Sequence, residues 1–158
     1  MEATIPSYPG RWATADDLAN GVIATIRYVH ENGEKFGIDP SKIVLEGLSG
    51  GGYVMAAVCG RLAVCDESNL VKLAISNCAC APGWYLSTPK EEINKKNEVR
   101  MGADHSPFIA RAYAYDFDKQ WKEKDPVLFP HEASHDILRK WPPTITISAE
   151  YDLYEPAV

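Results

Sequence analysis

Gly47-Leu48-Ser49-Gly50-Gly51 sets a serine in a Gly-x-Ser-x-Gly frame. A flexible, glycine-flanked turn is the commonest reading of a bare match, so what surrounds the frame decides its meaning. Here Ile43-Val44-Leu45 precedes it as a short apolar run, and the small and apolar residues from Tyr53 to Leu62 follow it. Strand, tight turn and helix is the setting in which such a serine is a nucleophile. The glycines at 47 and 51 then have a physical task, because the turn is too tight for side chains to pass the neighbouring strand and helix. Ser49 would sit above the carboxyl ends of the strands. The Gly50 backbone N–H, at the positive end of the following helix, would face the oxyanion of a tetrahedral intermediate.

A serine hydroxyl is too weakly acidic to attack unaided, so a histidine must take its proton and a carboxylate must hold that histidine in the right tautomer. Asp152 suits the carboxylate role: it lies just past the carboxyl end of the strand expected at Thr144–Ser148. A turn or capping aspartate is the plain alternative. None of the four histidines is a strong base candidate. His30 falls near the end of the first expected helix, where a solvated or dipole-capping imidazole is ordinary, and His105, His131 and His135 read as surface residues.

The elements needed to position Ser49 can be traced along the chain. Thr14, Asp16 and Asp17 open a helix whose apolar face is Leu18, Val22, Ile26 and Val29, and which ends near Phe36 before Gly37 and Asp39-Pro40. A strand buried on both faces is expected at Ile43–Leu45, a helix over Tyr53–Leu62 and a strand over Leu70–Ile75. This alternation is α/β, with a parallel sheet, right-handed crossovers and flanking helices. From Pro82 to Pro130 no strand period appears, while charges cluster at Lys90–Arg100 and aromatics at Phe108–Trp121. The expectation there is an inserted, mainly helical, lid-like segment over 82–130.

Composition excludes several functions. With 158 residues, 46% apolar and 24% charged, the chain has the makeup of one soluble domain. A net charge of −6 and the lack of any basic stripe argue against nucleic acid. No apolar run suits a membrane span and the first residues do not read as a signal peptide, so a cytoplasmic setting is expected. Cys59, Cys65, Cys78 and Cys80 contain no Cys-x-x-Cys and read as free thiols, with no metal or organic cofactor implied.

Three stretches resemble the α/β-hydrolase fold-3 esterases related to hormone-sensitive lipase. They are Phe36-Gly-Ile-Asp-Pro-Ser-Lys-Ile43 leading into Gly47-Leu-Ser-Gly-Gly-Gly52, then Asp125-Pro-Val-Leu-Phe-Pro130, then Trp141-Pro-Pro-Thr-Ile-Thr-Ile-Ser-Ala-Glu-Tyr-Asp152. By that resemblance Ser49 takes the nucleophile position, Asp152 the acid position and Gly50 an oxyanion donor, and the implied reaction is cleavage of small carboxylic esters through an acyl-enzyme. The chain departs from the family at Leu48, where an acidic residue is usual, at Gly50, where alanine is usual, and at Leu153-Tyr-Glu-Pro156, where Pro-Leu-Arg-Asp is typical. The family's His-Gly-Gly-Gly loop and its catalytic histidine do not occur in the chain, so a single incomplete hydrolase domain over 1–158, inactive alone, is expected. Two alternatives stay open: a non-catalytic small-ligand-binding protein on the same fold, and a piece that acts only with a partner polypeptide. In either case an exposed sheet edge at Ile43–Leu45 would favour self-association.

Overall fold

The computed structural model describes residues 15–79, 125–127 and 132–148. Helix α1 spans Ala15–Asn32 and continues as a 3-10 turn over Gly33–Phe36. Gly37, in the left-handed region at φ 73°, ends it, and its N–H donates to the Glu34 carbonyl. Asp39 then caps a second 3-10 turn, Pro40–Lys42, accepting from the Ser41 N–H at 2.9 Å and the Ser41 hydroxyl at 2.7 Å. Pairing with Lys42 and these hydrogen bonds lower the Asp39 carboxyl to about 2.

Strand β1 (Val44–Leu48) runs into helix α2 (Gly50–Val64) through Ser49 alone. Strand β2 (Leu73–Asn77) follows a 3-10 turn at Ser68–Leu70, so it starts later than the apolar run from Leu70 suggests. The reason is local: Val71 N–H donates to the Ser68 carbonyl, and the chain joins the sheet only at Lys72, whose N–H donates to the Ile43 carbonyl. A short helix, α3 (His135–Leu138), capped by the Ser134 side chain, precedes strand β3 (Thr144–Ile147). The sheet order is β1-β2-β3 and all pairs are parallel, with Leu48 opposite Asn77 and Asn77 opposite Ile147.

Among the described residues the core lies on one side of this sheet. Ala19, Ile23 and Ile26 of α1 pack with Ala57, Val58 and Leu62 of α2, joined by Val71 and Val127. Met55, Cys59 and Ala74 form a second cluster beneath α2, with Leu45 and Trp141 against it. Burial pushes the Cys59 thiol up to about 12, so it behaves as a small apolar side chain. The core face of α1 therefore includes Ala19 and Ile23, one step round the helix from the expected Leu18 and Val22, which are only half-buried.

The expectation that the first strand is buried on both faces does not hold among the described residues. Leu45 and Gly47 face α2, but Val44 and Leu48 are 52% and 64% exposed, and Ile145 and Ile147 of β3 share that open face. Both described helices that cover the sheet, α2 and behind it α1, pack on the same side. The inserted segment expected over 82–130, apart from residues 125–127, lies outside the described residues, as do His105, His131 and Asp152. Among the described residues no helix is long and apolar enough to cross a membrane, and no group of three His, Cys, Asp or Glu side chains could hold a metal ion.

Candidate active site

Ser49 is the single residue between β1 and α2, and its backbone adopts φ 53°, ψ −121°. A non-glycine residue in that region carries strain of about 1–3 kcal/mol, which persists only where the surroundings enforce it. They do so here. The Ser49 N–H donates to the Asn77 carbonyl at 2.9 Å, carrying the β1–β2 ladder one residue beyond the strands. The Ser49 carbonyl accepts from the N–H groups of Gly52 at 2.9 Å and Tyr53 at 3.3 Å, which starts the helix. The residue is thus held from both sides, and it is exposed.

The turn works only if strand and helix nearly touch. A Cβ on Gly47 would stand 2.2 Å from the Gly51 carbonyl oxygen and 2.7 Å from the Gly52 nitrogen, so no side chain fits. A Cβ on Gly52 would stand 2.8 Å from the Ala79 Cβ and 3.2 Å from the Gly47 carbonyl oxygen. Gly51, by contrast, has nothing within 4 Å of a Cβ position. The close approach in the first helical turn therefore falls at Gly52. The unbroken run Gly50-Gly51-Gly52 conceals that distinction in the sequence, and nothing in the sequence around Ala79 marks it as the neighbour.

Gly50 is the first residue of α2, so its N–H belongs to the turn whose donors lack acceptors within the helix. The aligned peptide dipoles add about half a positive charge at this end. A hydroxyl at Ser49 and a donor at Gly50 thus stand together at the carboxyl ends of three parallel strands, where open α/β sheets bind ligands.

The described histidines are elsewhere. His135 opens α3, and Lys140 just after that helix pairs with Asp66, beyond the carboxyl end of α2, at 2.7 Å. Ser49 is at the other end of α2, about 22 Å away at 1.5 Å per residue. His30 is in the last turn of α1, near Arg27, whose guanidinium pairs at 2.6 Å with Glu67, also past the end of α2. Neither is brought to Ser49. Strand β3 ends at Ile147, whose carbonyl accepts from the Cys78 N–H at 2.8 Å, so the chain leaves β3 at the same end of the sheet as Ser49, five residues before Asp152.

A parallel sheet whose strand β1 passes into α2 through a single strained serine is the arrangement of the α/β-hydrolase fold. The family profile described as the alpha/beta hydrolase fold matches residues 14–157, and the chain belongs to that family. Among solved structures it is similar to brefeldin A esterase, described as a bacterial homologue of human hormone-sensitive lipase, with a TM-score of 0.72 and 21% identity over 94% of this chain and 42% of that one. A structure from a study of two fungal esterases of Rhizomucor miehei matches with a TM-score of 0.70 and 16% identity, covering 87% of this chain and 43% of the esterase. The esterase of the hyperthermophilic archaeon Pyrobaculum calidifontis matches with a TM-score of 0.65 and 25% identity, covering 90% and 44%. The chain spans a little over two fifths of the length of these esterases. A comparison with curated proteins gives no match. The resemblance carried by the three motifs therefore leads to the right family and fold.

Proposed function

We propose that Ser49 is the nucleophile of a carboxylesterase-type serine hydrolase acting on small carboxylic esters. The observation that carries this reading is the enforced backbone of Ser49, at φ 53° and ψ −121° on a strand-to-helix turn, in a chain of this family. Strain held in place by strand pairing on one side and a helix start on the other is stored where a reacting group must be presented.

In this reading Ser49 Oγ adds to the ester carbonyl while a histidine accepts its proton. The oxyanion is met by the Gly50 N–H, the C–O bond to the alcohol breaks, and the leaving alkoxide takes the proton back from the histidine. Water then repeats the sequence on the acyl-serine, releasing the acid. Asp152 orients the histidine. That histidine is neither His30 nor His135, whose chain neighbours Arg27 and Lys140 pair with Glu67 and Asp66 past the carboxyl end of α2. The reaction calls for no metal or organic cofactor.

Self-association belongs to the same proposal. Among the described residues β1 pairs only with β2, and Val44, Leu48, Ile145 and Ile147 stand exposed on one sheet face, with Glu46 among them. Such an edge pairs readily with another chain.

The test is hydrolysis of short-chain p-nitrophenyl esters by the chain and by a completed form, in which the hydrolase segments that the esterases possess beyond the matched region are added on both sides. The completed form should turn over and its Ser49→Ala variant should not. Equal turnover by the two would remove Ser49 from the mechanism.

A further inference from the structure

Two non-glycine residues with positive φ stand side by side at the carboxyl ends of neighbouring strands. They are Ser49 after β1, at 53°, and Cys78 after β2, at 47°. The register that sets Leu48 opposite Asn77 makes them the next pair along the ladder. Hydrogen bonds link the two turns and carry the link to β3: the Ser49 N–H donates to the Asn77 carbonyl at 2.9 Å, and the Cys78 N–H to the Ile147 carbonyl at 2.8 Å. The left-handed backbone at Cys78 turns the chain so that Ala79, only 7% exposed, comes beneath the first turn of α2. There the space above Ala79 is closed to any side chain on Gly52, whose Cβ would stand 2.8 Å from the Ala79 Cβ and 3.1 Å from its Cα.

The start of α2 is thus clamped between β1, through Gly47, and the turn after β2, through Ala79. Ser49 sits at the pivot, with its N–H donating to the Asn77 carbonyl at the end of β2 and its carbonyl accepting from the Gly52 and Tyr53 N–H groups of α2. We infer that the Cys78–Ala79 turn is a positioning element for the nucleophile: it fixes the height of the first turn of α2, and through it the backbone of Ser49 and the Gly50 N–H, without itself touching substrate. The inference rests on the reading of Ser49 as the nucleophile, but its geometric half can be measured without catalysis.

The test is a compensation experiment at the Gly52–Ala79 contact. Gly52→Ala inserts the Cβ that has no room; Ala79→Gly withdraws the atom it meets first. Amide exchange at Ser49, followed by NMR in the chain itself against the Ala57 amide in the middle of α2, reports the clamp directly. The second-order rate of fluorophosphonate labelling at Ser49 in the completed form reports its consequence. Gly52→Ala should speed Ser49 exchange at least tenfold relative to Ala57 and slow labelling by a similar factor. Ala79→Gly alone should change each about threefold. The double variant should return to within about threefold of wild type on both, because the 2.8 Å contact is removed and the contacts left, with the residue 79 Cα at 3.1 Å and the Gly47 carbonyl oxygen at 3.2 Å, need a shift of only a few tenths of an ångström.

A purely structural contact would lower the melting temperature while moving the Ser49 and Ala57 amides together. That result, or a double variant in which the single effects multiply to about thirtyfold, overturns the inference. If Gly52→Ala does not fold, Ala79→Val pushes on the same contact from the other side and should also speed Ser49 exchange selectively; an unchanged Ser49 amide there refutes the clamp. If wild-type completed protein is never labelled, the hydrolase reading fails, and the exchange ratios alone still decide on the clamp.

Discussion

Substituting Gly47 and Gly51 by alanine should move stability in opposite directions. The Gly47 Cβ would lie 2.2 Å from the Gly51 carbonyl oxygen, more than 1 Å inside the 3.4 Å of ordinary contact, and both atoms belong to backbone that cannot rotate away. Either β1 or the first turn of α2 must shift. Overpacking of this kind costs typically 1–3 kcal/mol, and a backbone-to-backbone clash belongs at about 3 kcal/mol. Gly51 is a helical residue with nothing within 4 Å of its Cβ position, so alanine there only restricts the unfolded chain and improves helix propensity. In a first helical turn that is a gain of about 0.5 kcal/mol. With a urea m-value of about 2 kcal/mol/M for a chain of this size, the midpoint should fall by about 1.5 M for Gly47→Ala and rise by about 0.25 M for Gly51→Ala. Urea unfolding followed by circular dichroism, with m fitted for each variant, reads both. A Gly47→Ala midpoint within 0.3 M (about 0.6 kcal/mol) of wild type, or a fall for Gly51→Ala as large as for Gly47→Ala, would refute the close-approach geometry of the turn.

Other consequences can be checked separately. Ser49→Gly should stabilise the fold by about 1 kcal/mol by releasing the positive-φ strain, while Ser49→Ala should not, a contrast readable in the same urea titration. Leu62→Ala, at a side chain 1% exposed in the main core, should cost about 2–5 kcal/mol. In the folded chain a thiol reagent should modify the exposed Cys65 quickly and leave Cys59 unmodified until the chain unfolds, since Cys59 is buried with its thiol raised to about 12. The Asp39 carboxyl, held down by Lys42 and Ser41, should titrate by NMR near pH 2. Because its folded value lies below that of a free aspartate, its contribution is present above the ordinary carboxylate range and is lost as pH falls through about 2; Lys42→Met should move the midpoint upward.

The sequence revealed those parts of the fold whose causes are local. The apolar period of α1, the stop at Gly37, the strand leading to Ser49, the helix after it and the β-branched strand at Thr144–Ile147 were all legible, because each depends on residues within a few positions of one another. The start of β2 was misplaced because Leu70 and Val71 are apolar for packing against the helices, not for pairing; the 3-10 turn that delays the strand is set by Glu67 and Ser68 carbonyls. Burial of β1 was overestimated because an apolar run does not say which faces are covered, and the described helices lie on one side only. The placement of Gly47, Ser49 and Gly50 on the strand-to-helix turn could be read from a motif. The contact of Gly52 with Ala79 joins residues from two different strand ends, and only the register of β1 with β2 brings them together.

The central claim is that Ser49 is the acylated residue, and fluorophosphonate labelling followed by peptide mapping tests it most directly. The chain, the completed form and its Ser49→Ala variant should be compared at equal concentration, with folding of each verified by circular dichroism. The account predicts a phosphonyl adduct on Ser49 in the completed form, none in Ser49→Ala, and little or none in the chain alone, where His30 and His135 are too remote to act as base. A folded completed form that stays unlabelled would contradict it and favour a binding protein built on the hydrolase fold, and an adduct on any residue other than Ser49 would place the nucleophile elsewhere.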